Sequence, residues 1–175
     1  MNSNSNSKRT AGLGLMFALA LILQFVESAI PSPFSFAPGI KLGLSNTVTM
    51  FCLFTFGLPD ALCIAILKGL FALITRGVAA GILSLAGGFM SVLVMKLVSR
   101  MGRSRGMTSV AGAVTHNLSQ LTVECLMMKS TAALYYLPIL TVSGIIMGCL
   151  TAVVLKNIDP YLDKLSLIGK RKEDD

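Results

Sequence analysis

Four polar residues recur at helical spacing within one apolar stretch of the sequence. His116, Gln120 and Glu124 are four residues apart, and Asn117 follows the first of them. Residues four apart lie above one another on an α-helix, so these side chains share one broad face. Ionisable groups inside a membrane are energetically costly and normally face a cavity or the interior of a helical bundle. The spacing therefore predicts a membrane helix that turns a polar face toward a binding site.

Further polar side chains interrupt other apolar stretches. We expect Lys68 at mid-depth in the membrane and the rest near the outer ends of their helices, namely Gln24, Glu27, Lys41, Asn46 and Arg76. Because these groups come from several helices but share the middle and outer half of the membrane, they predict one polar cavity open to the outside. The cations in this set outnumber the carboxylates, which favours a small polar or anionic ligand. The alternative is a set of interhelical hydrogen bonds and ion pairs that needs no ligand.

No sequence motif supports catalysis. The chain has no aspartate-rich segment of the kind that holds a magnesium diphosphate and no glycine-rich phosphate loop. Its four cysteines lie within apolar runs and without CxxC spacing, which is typical of small hydrophobic side chains. We therefore predict no catalytic residue, no metal site and no cofactor, and energy for any transport would come from a partner.

The composition indicates a membrane protein. Hydrophobic residues make up 54% of the chain and charged residues only 13%, whereas soluble domains carry about 25% charge. A helix needs about 20 apolar residues to cross the lipid bilayer, so 175 residues suffice for about six such helices. The net charge of +7 comes from basic residues between the apolar runs and in the tail. That distribution sets membrane topology and predicts no nucleic-acid partner.

Prolines, glycines and charges divide the chain into three parts. Residues 1–9 are predicted to be a disordered cytoplasmic lead, 10–156 a transmembrane domain and 157–175 a charged cytoplasmic tail. The fold predicted is an all-α integral membrane protein, a bundle of about six transmembrane helices. The expected helices are 10–29, 40–56, 59–75, 79–100, 107–128 and 134–156. Helices two and three should form a hairpin, because Gly57 and Pro59 mark a tight turn between them.

Basic residues concentrate on one side of this predicted bundle. With an even number of spans, both termini share the side that holds Lys8, Arg9, Arg100, Arg103 and Arg105. The opposite side has few cations. By the positive-inside rule, both termini are cytoplasmic, and the expected location is the plasma membrane.

Small residues form stripes on the first and last predicted helices. Ala11, Gly14 and Ala18 lie on the first, and Gly144 and Gly148 continue a similar stripe on the last. Small residues let helix backbones approach closely in lipid. These stripes either hold the bundle together or dock a separate membrane subunit.

Three segments of the sequence resemble a known family. They are Ile40–Asn46 (IKLGLSN), Lys68–Leu70 followed by Arg76–Gly77, and Gly112–Ala113 followed by His116–Gln120 (HNLSQ). They resemble the small membrane proteins called Gx transporters, also known as heptaprenyl diphosphate synthase component I. The resemblance covers most of residues 10–156. This family is similar to the substrate-binding S components of energy-coupling factor transporters.

The resemblance implies an S-component-like bundle with an outward pocket for a vitamin or another small micronutrient. It also implies two kinds of partner, a transmembrane coupling subunit and cytoplasmic ATPases. In S components a small-residue stripe on the first helix docks on the coupling subunit, and Gly14 and Ala18 stand in that place here. The family's other name implies a different function, a non-catalytic accessory of heptaprenyl diphosphate synthase in isoprenoid or menaquinone synthesis. A membrane scaffold without a ligand is a third alternative.

Overall fold

The computed structural model describes residues 3–29 and 44–164, which form an all-helical bundle. Its six α-helices are α1 (Ser3–Ala29), α2 (Leu44–Thr55), α3 (Leu58–Arg76), α4 (Val78–Arg100), α5 (Arg105–Met128) and α6 (Leu137–Lys164). A short 3-10 helix, Ala132–Tyr136, precedes α6. The prediction of an all-α fold is confirmed.

Four segments of the described chain are long and apolar enough to cross a membrane. They are Arg9–Glu27, Leu58–Arg76, Val78–Arg100 and Ala132–Asn157. Of the two other helices, α2 is described over only 12 residues, and α5 is 24 residues long but carries the polar side chains that lower its hydropathy. Large apolar side chains such as Phe25, Ile74 and Leu97 are exposed on the bundle surface. This surface suits contact with lipid, and the chain is a membrane protein.

Two helices are longer than the sequence pattern predicted. Helix α1 begins at Ser3, within the lead 1–9 that we expected to be disordered. Since neither proline nor glycine interrupts residues 3–9, the helix extends beyond the apolar run. Helix α6 continues to Lys164 through Pro160, where we expected it to end. The helix therefore accommodates Pro160 although this residue removes one backbone donor.

Glycines form the tight junctions on both sides of α3. Gly57 precedes this helix with a φ angle of 101°, and Gly77 follows it with a φ angle of 90°. Glycine adopts positive φ without the steric cost that other residues incur. Pro59 lies in the first turn of α3, where its missing N–H is not needed. These junctions make α2, α3 and α4 consecutive antiparallel neighbours, which confirms the predicted hairpin of α2 and α3.

Close backbone contacts hold the second half of the bundle together. A Cβ atom added to Gly148 on α6 would lie 2.5 Å from the Cα of Val110 on α5. Similarly, a Cβ added to Gly81 on α4 would lie 2.8 Å from the Cα of Leu73 on α3. In lipid, such packing replaces the hydrophobic effect as the main force between helices. The α6 stripe is therefore part of the bundle's own packing.

One end of the bundle carries most of its described basic residues. Arg9 on α1 forms an ion pair with Asp60 at the start of α3. Arg105, the first residue of α5, lies over the ring of Phe54 with its guanidinium carbon 5.4 Å from the ring centroid. The connection before α5 adds Arg100 and Arg103. We call this region the basic end.

Candidate functional site

Lys68 is buried in the middle of α3, with 5% of its surface exposed. Its ammonium Nζ lies 3.3 Å from the side-chain oxygens of both Asn46 and Thr49 on α2. Thr49 donates its own hydroxyl proton to the backbone carbonyl of Ser45, so its oxygen remains an acceptor for the lysine. A buried charge needs such partners, because lipid and apolar side chains do not solvate it. Helix α2 thus supplies two hydrogen-bond acceptors for the ammonium group of Lys68.

A cleft opens beside Lys68, among helices α1 to α5. Its enclosed volume is about 20 Å³, which is room for about one water molecule. Its polar lining consists of Gln24, Glu27, Ser45, Lys68, Arg76, Ser84, His116 and Gln120. We call it the polar cleft. Six residues predicted from sequence to share a cavity therefore do meet there, and Ser45 and Ser84 add two hydroxyl groups.

The polar cleft lies away from the basic end. Glu27 and Arg76 are near the C-terminal ends of α1 and α3, whereas Arg9 and Asp60 are near the N-terminal ends of the same helices. The Glu27 carboxylate interacts electrostatically with the Arg76 guanidinium. With Lys68, the cleft contains two basic side chains and one acidic side chain. This leaves an excess of one positive charge when His116 is neutral.

A glycine makes room for the polar residues of α5. A Cβ atom on Gly87 of α4 would lie 2.8 Å from Cε1 of His116 and 2.9 Å from Cγ of Gln120. Real Cβ atoms do not approach other atoms so closely, so only glycine lets α4 and α5 meet here with both side chains in place. His116 is consequently buried, with 9% of its surface exposed. Sequence reasoning missed Gly87, and its one signal was the small-residue run Ala86–Gly88 within an apolar helix.

The structure places two of the predicted residues in a second cavity. Asn46 and Asn117 line this second space, which has an enclosed volume of about 20 Å³. The other lining residues are Met50, Ser91, Met95, Ser109, Ala113, Gly144, Met147 and Thr151. None of these ten described residues is ionisable, and we call the space the neutral cavity. Consecutive helical residues point about 100° apart, so His116 and Asn117 face different cavities.

Two predicted site residues lie elsewhere. Glu124 is half-buried on α5, two turns beyond His116, and lines neither of the two cavities. Lys41 lies outside the described residues. The described part of the chain also contains no group of three or more His, Cys, Asp or Glu side chains arranged to hold a metal ion.

The small residues of α1 differ from those of α6. Ala11, Gly14 and Ala18 are all exposed. A Cβ atom added to Gly14 would meet no atom within 4 Å. Because Gly148 on α6 packs directly on the α5 backbone, the two stripes have different surroundings. The α6 stripe packs inside the described bundle, whereas the α1 stripe lies on its outer surface.

The fold and the cleft together define a class of protein, a helical membrane protein with a charged cleft inside its bundle. A family model described as heptaprenyl diphosphate synthase component I matches residues 16–158. The chain belongs to this family, as its IKLGLSN and HNLSQ segments predicted. The family is that of one component of a synthase, which agrees with the expectation that the chain is not itself an enzyme. No significant match was found among curated proteins or solved structures.

Proposed function

We propose that this chain is the ligand-binding membrane subunit of a small-molecule uptake transporter, comparable to an S component. The observation that carries the proposal is the polar cleft, where Lys68, Arg76 and His116 from three helices converge on one small space. Buried polar groups that converge on a cavity are the usual mark of a binding site.

The charge of the cleft favours an anionic group on the ligand. Two cations and one carboxylate line it, so one negative charge from a ligand would balance them. Lys68 and Arg76 offer several N–H donors to a carboxylate or phosphate. Gln24, Ser45 and Gln120 add neutral donors and acceptors that could orient the rest of a polar molecule.

The distribution of charge along the bundle supports loading from outside the cell. The basic end carries Arg9, Arg100, Arg103 and Arg105, and the polar cleft lies near the other end. By the positive-inside rule, the basic end and both termini face the cytoplasm of a cell-membrane protein. The cleft then opens on the outer side, where a subunit for uptake must receive its ligand.

Partners would supply the energy for transport. The sequence contains no phosphate loop, so nucleotide hydrolysis belongs to separate ATPase subunits. The exposed Ala11, Gly14 and Ala18 on α1 offer a surface on which another helix could pack closely. We assign this surface to a transmembrane coupling subunit that links the bundle to the ATPases.

The family description favours a second function, an accessory role beside a catalytic subunit of heptaprenyl diphosphate synthase. In that case the purified chain would raise prenyltransferase activity when mixed with the catalytic subunit. A transporter subunit would instead retain a small molecule and associate with coupling-factor subunits. A membrane scaffold would do neither.

Native mass spectrometry of the detergent-purified protein tests the proposal. We expect an added mass from a bound small molecule in the wild type, and its loss in Lys68→Ala and in His116→Ala. The matched control is Lys96→Ala on α4, because Lys96 does not line the polar cleft. Circular dichroism would verify that each variant keeps its helices. Retention that persists in both cleft variants, or is lost equally in the control, would reject the cleft as the binding site.

A further inference from the structure

Three arginines crowd the connection between α4 and α5 at the basic end. Arg100 is the last residue of α4, Arg103 lies in the connection and Arg105 is the first residue of α5. All three side chains are exposed, and we call them the arginine patch. Positive charges so close together in the chain repel one another. An anion bound among them would offset this repulsion.

The described residues leave two of these arginines without a carboxylate partner. Arg100 and Arg103 form no salt bridge with any described residue. The carboxylate of Asp60, at the same end of the bundle, already pairs with Arg9. Helix α5 also has no acidic residue in its first turn, although the positive end of a helix dipole favours one there. Compensation for this charge must therefore come from water or from an anion outside the described chain.

Neighbouring helices fix the start of α5. The guanidinium of Arg105 lies over the ring of Phe54 on α2, 5.4 Å from the ring centroid. Such stacking orients an arginine without using its N–H groups. Helix α6 passes nearby, since a Cβ atom added to Gly106 would lie 3.9 Å from the Cβ of Ala152. Lys156, one helical turn beyond Ala152, is exposed and adds a further cation at this end.

Exposed apolar side chains lie directly beside the arginine patch. Leu97, Arg100 and Met101 are at helical spacing, so they share one face of α4. Leu97 is 60% exposed, Met101 62%, and Met107 in the first turn of α5 53%. Leu97 lies inside the apolar span of α4, whereas Arg100 is the last residue of that span. The arginines therefore lie at the level of the lipid headgroups, next to side chains that contact acyl chains.

We propose that the arginine patch is a binding surface for an anionic phospholipid of the bilayer. The phosphate of the lipid accepts hydrogen bonds from the guanidinium groups of Arg100 and Arg103. Its acyl chains pack against Leu97 and Met101. Free phosphate has no chain to make these apolar contacts, and an acidic protein surface would not need them. The surface requires only that the basic end lies at headgroup level, so it is independent of any ligand in the polar cleft.

Thermal unfolding of the purified protein in a neutral detergent tests this proposal with three probes. The first is phosphatidylglycerol, the second is phosphatidylcholine with the same acyl chains, and the third is inorganic phosphate at the same concentration. The choline group balances the phosphate charge of the second lipid. A ligand that binds the folded state raises the unfolding midpoint. We expect phosphatidylglycerol to raise it and the other two probes to leave it nearly unchanged.

Substitutions locate the effect in the arginine patch. In Arg100→Gln/Arg103→Gln, each lost arginine should weaken binding of the anionic lipid about fivefold, so the shift should fall to the level of phosphatidylcholine. Both positions are exposed, and the midpoint in detergent alone should not change. Arg103→Gln has a matched control in Lys129→Gln, which removes one exposed cation at the other end of α5 and should keep the full shift.

Three outcomes would overturn the proposal. Equal shifts with both lipids in the wild type would leave an acidic protein surface as the partner of these arginines. A shift that survives in Arg100→Gln/Arg103→Gln, or falls as much in Lys129→Gln as in Arg103→Gln, would reject the patch as the site. A shift of the same size with inorganic phosphate would show an anion site that needs no lipid chain. None of these outcomes decides whether the polar cleft binds a ligand, because the cleft lies away from the basic end.

Discussion

The ammonium of Lys68 and the amide oxygen of Asn46 lie 3.3 Å apart across the contact between α3 and α2. This contact places a lysine ammonium inside a membrane bundle and joins it to a helix that also lines the neutral cavity. Lipid would not accept the charge, so its position depends on oxygens that the neighbouring helix supplies. The pair therefore connects the stability of the bundle with the chemistry of its candidate site.

Replacement of Asn46 should destabilise the protein through Lys68. In Asn46→Leu the ammonium loses one buried acceptor, and we expect a loss of about 1–3 kcal/mol in the free energy of unfolding. In the double variant Asn46→Leu/Lys68→Met there is no charge left to compensate, so most of this loss should be recovered. Unfolding in detergent, followed by helical circular dichroism, measures all four forms. Simple additivity of the two single changes would show that the contact contributes nothing.

Gly87 should contribute to ligand binding although it has no side chain. In Gly87→Ala the new Cβ would lie 2.8 Å from His116, so either the histidine moves or α4 and α5 separate. We expect weaker ligand retention and a cost of about 1–3 kcal/mol in stability. Gly14→Ala is the control, because its Cβ meets nothing and alanine favours a helix by about 1 kcal/mol. Equal behaviour of the two variants would contradict the close approach at Gly87.

The sequence predicted the helices better than it predicted the site. The apolar runs and the Gly57–Pro59 junction were sufficient to predict the order of the helices. In lipid, each membrane-spanning segment must form its own backbone hydrogen bonds, so a long apolar run predicts a helix. The helical spacing also identified His116 and Gln120 as cleft residues. It assigned Asn117 to the same cavity, because a broad helical face does not reveal where a neighbouring helix divides it. That division depends on how the neighbouring helices pack around α5, which helical spacing alone does not specify.

Bulk on the outward face of α1 should disrupt partner binding but not the bundle. Gly14→Leu adds a side chain where the described chain leaves open space. We therefore expect an unchanged unfolding midpoint and a strong loss of coupling subunit in co-purification. Gly148→Leu is the contrasting variant, since its side chain would collide with the α5 backbone and should lower the midpoint itself. Normal recovery of the coupling subunit with Gly14→Leu would remove α1 as the docking surface.

Chemical labelling of single cysteines should determine which end of the bundle faces outward. Arg103 lies in the exposed connection between α4 and α5, and Ser130 lies in the exposed connection after α5. Since α5 separates these positions, they belong to opposite ends of the bundle. In a background without the four native cysteines, an impermeant thiol reagent added to intact cells should label Ser130→Cys and spare Arg103→Cys. Permeabilised cells provide the control, because both variants should react there. The reverse pattern would place the polar cleft toward the cytoplasm, where an uptake subunit could not load its ligand, and the transport proposal would then give way to the accessory role.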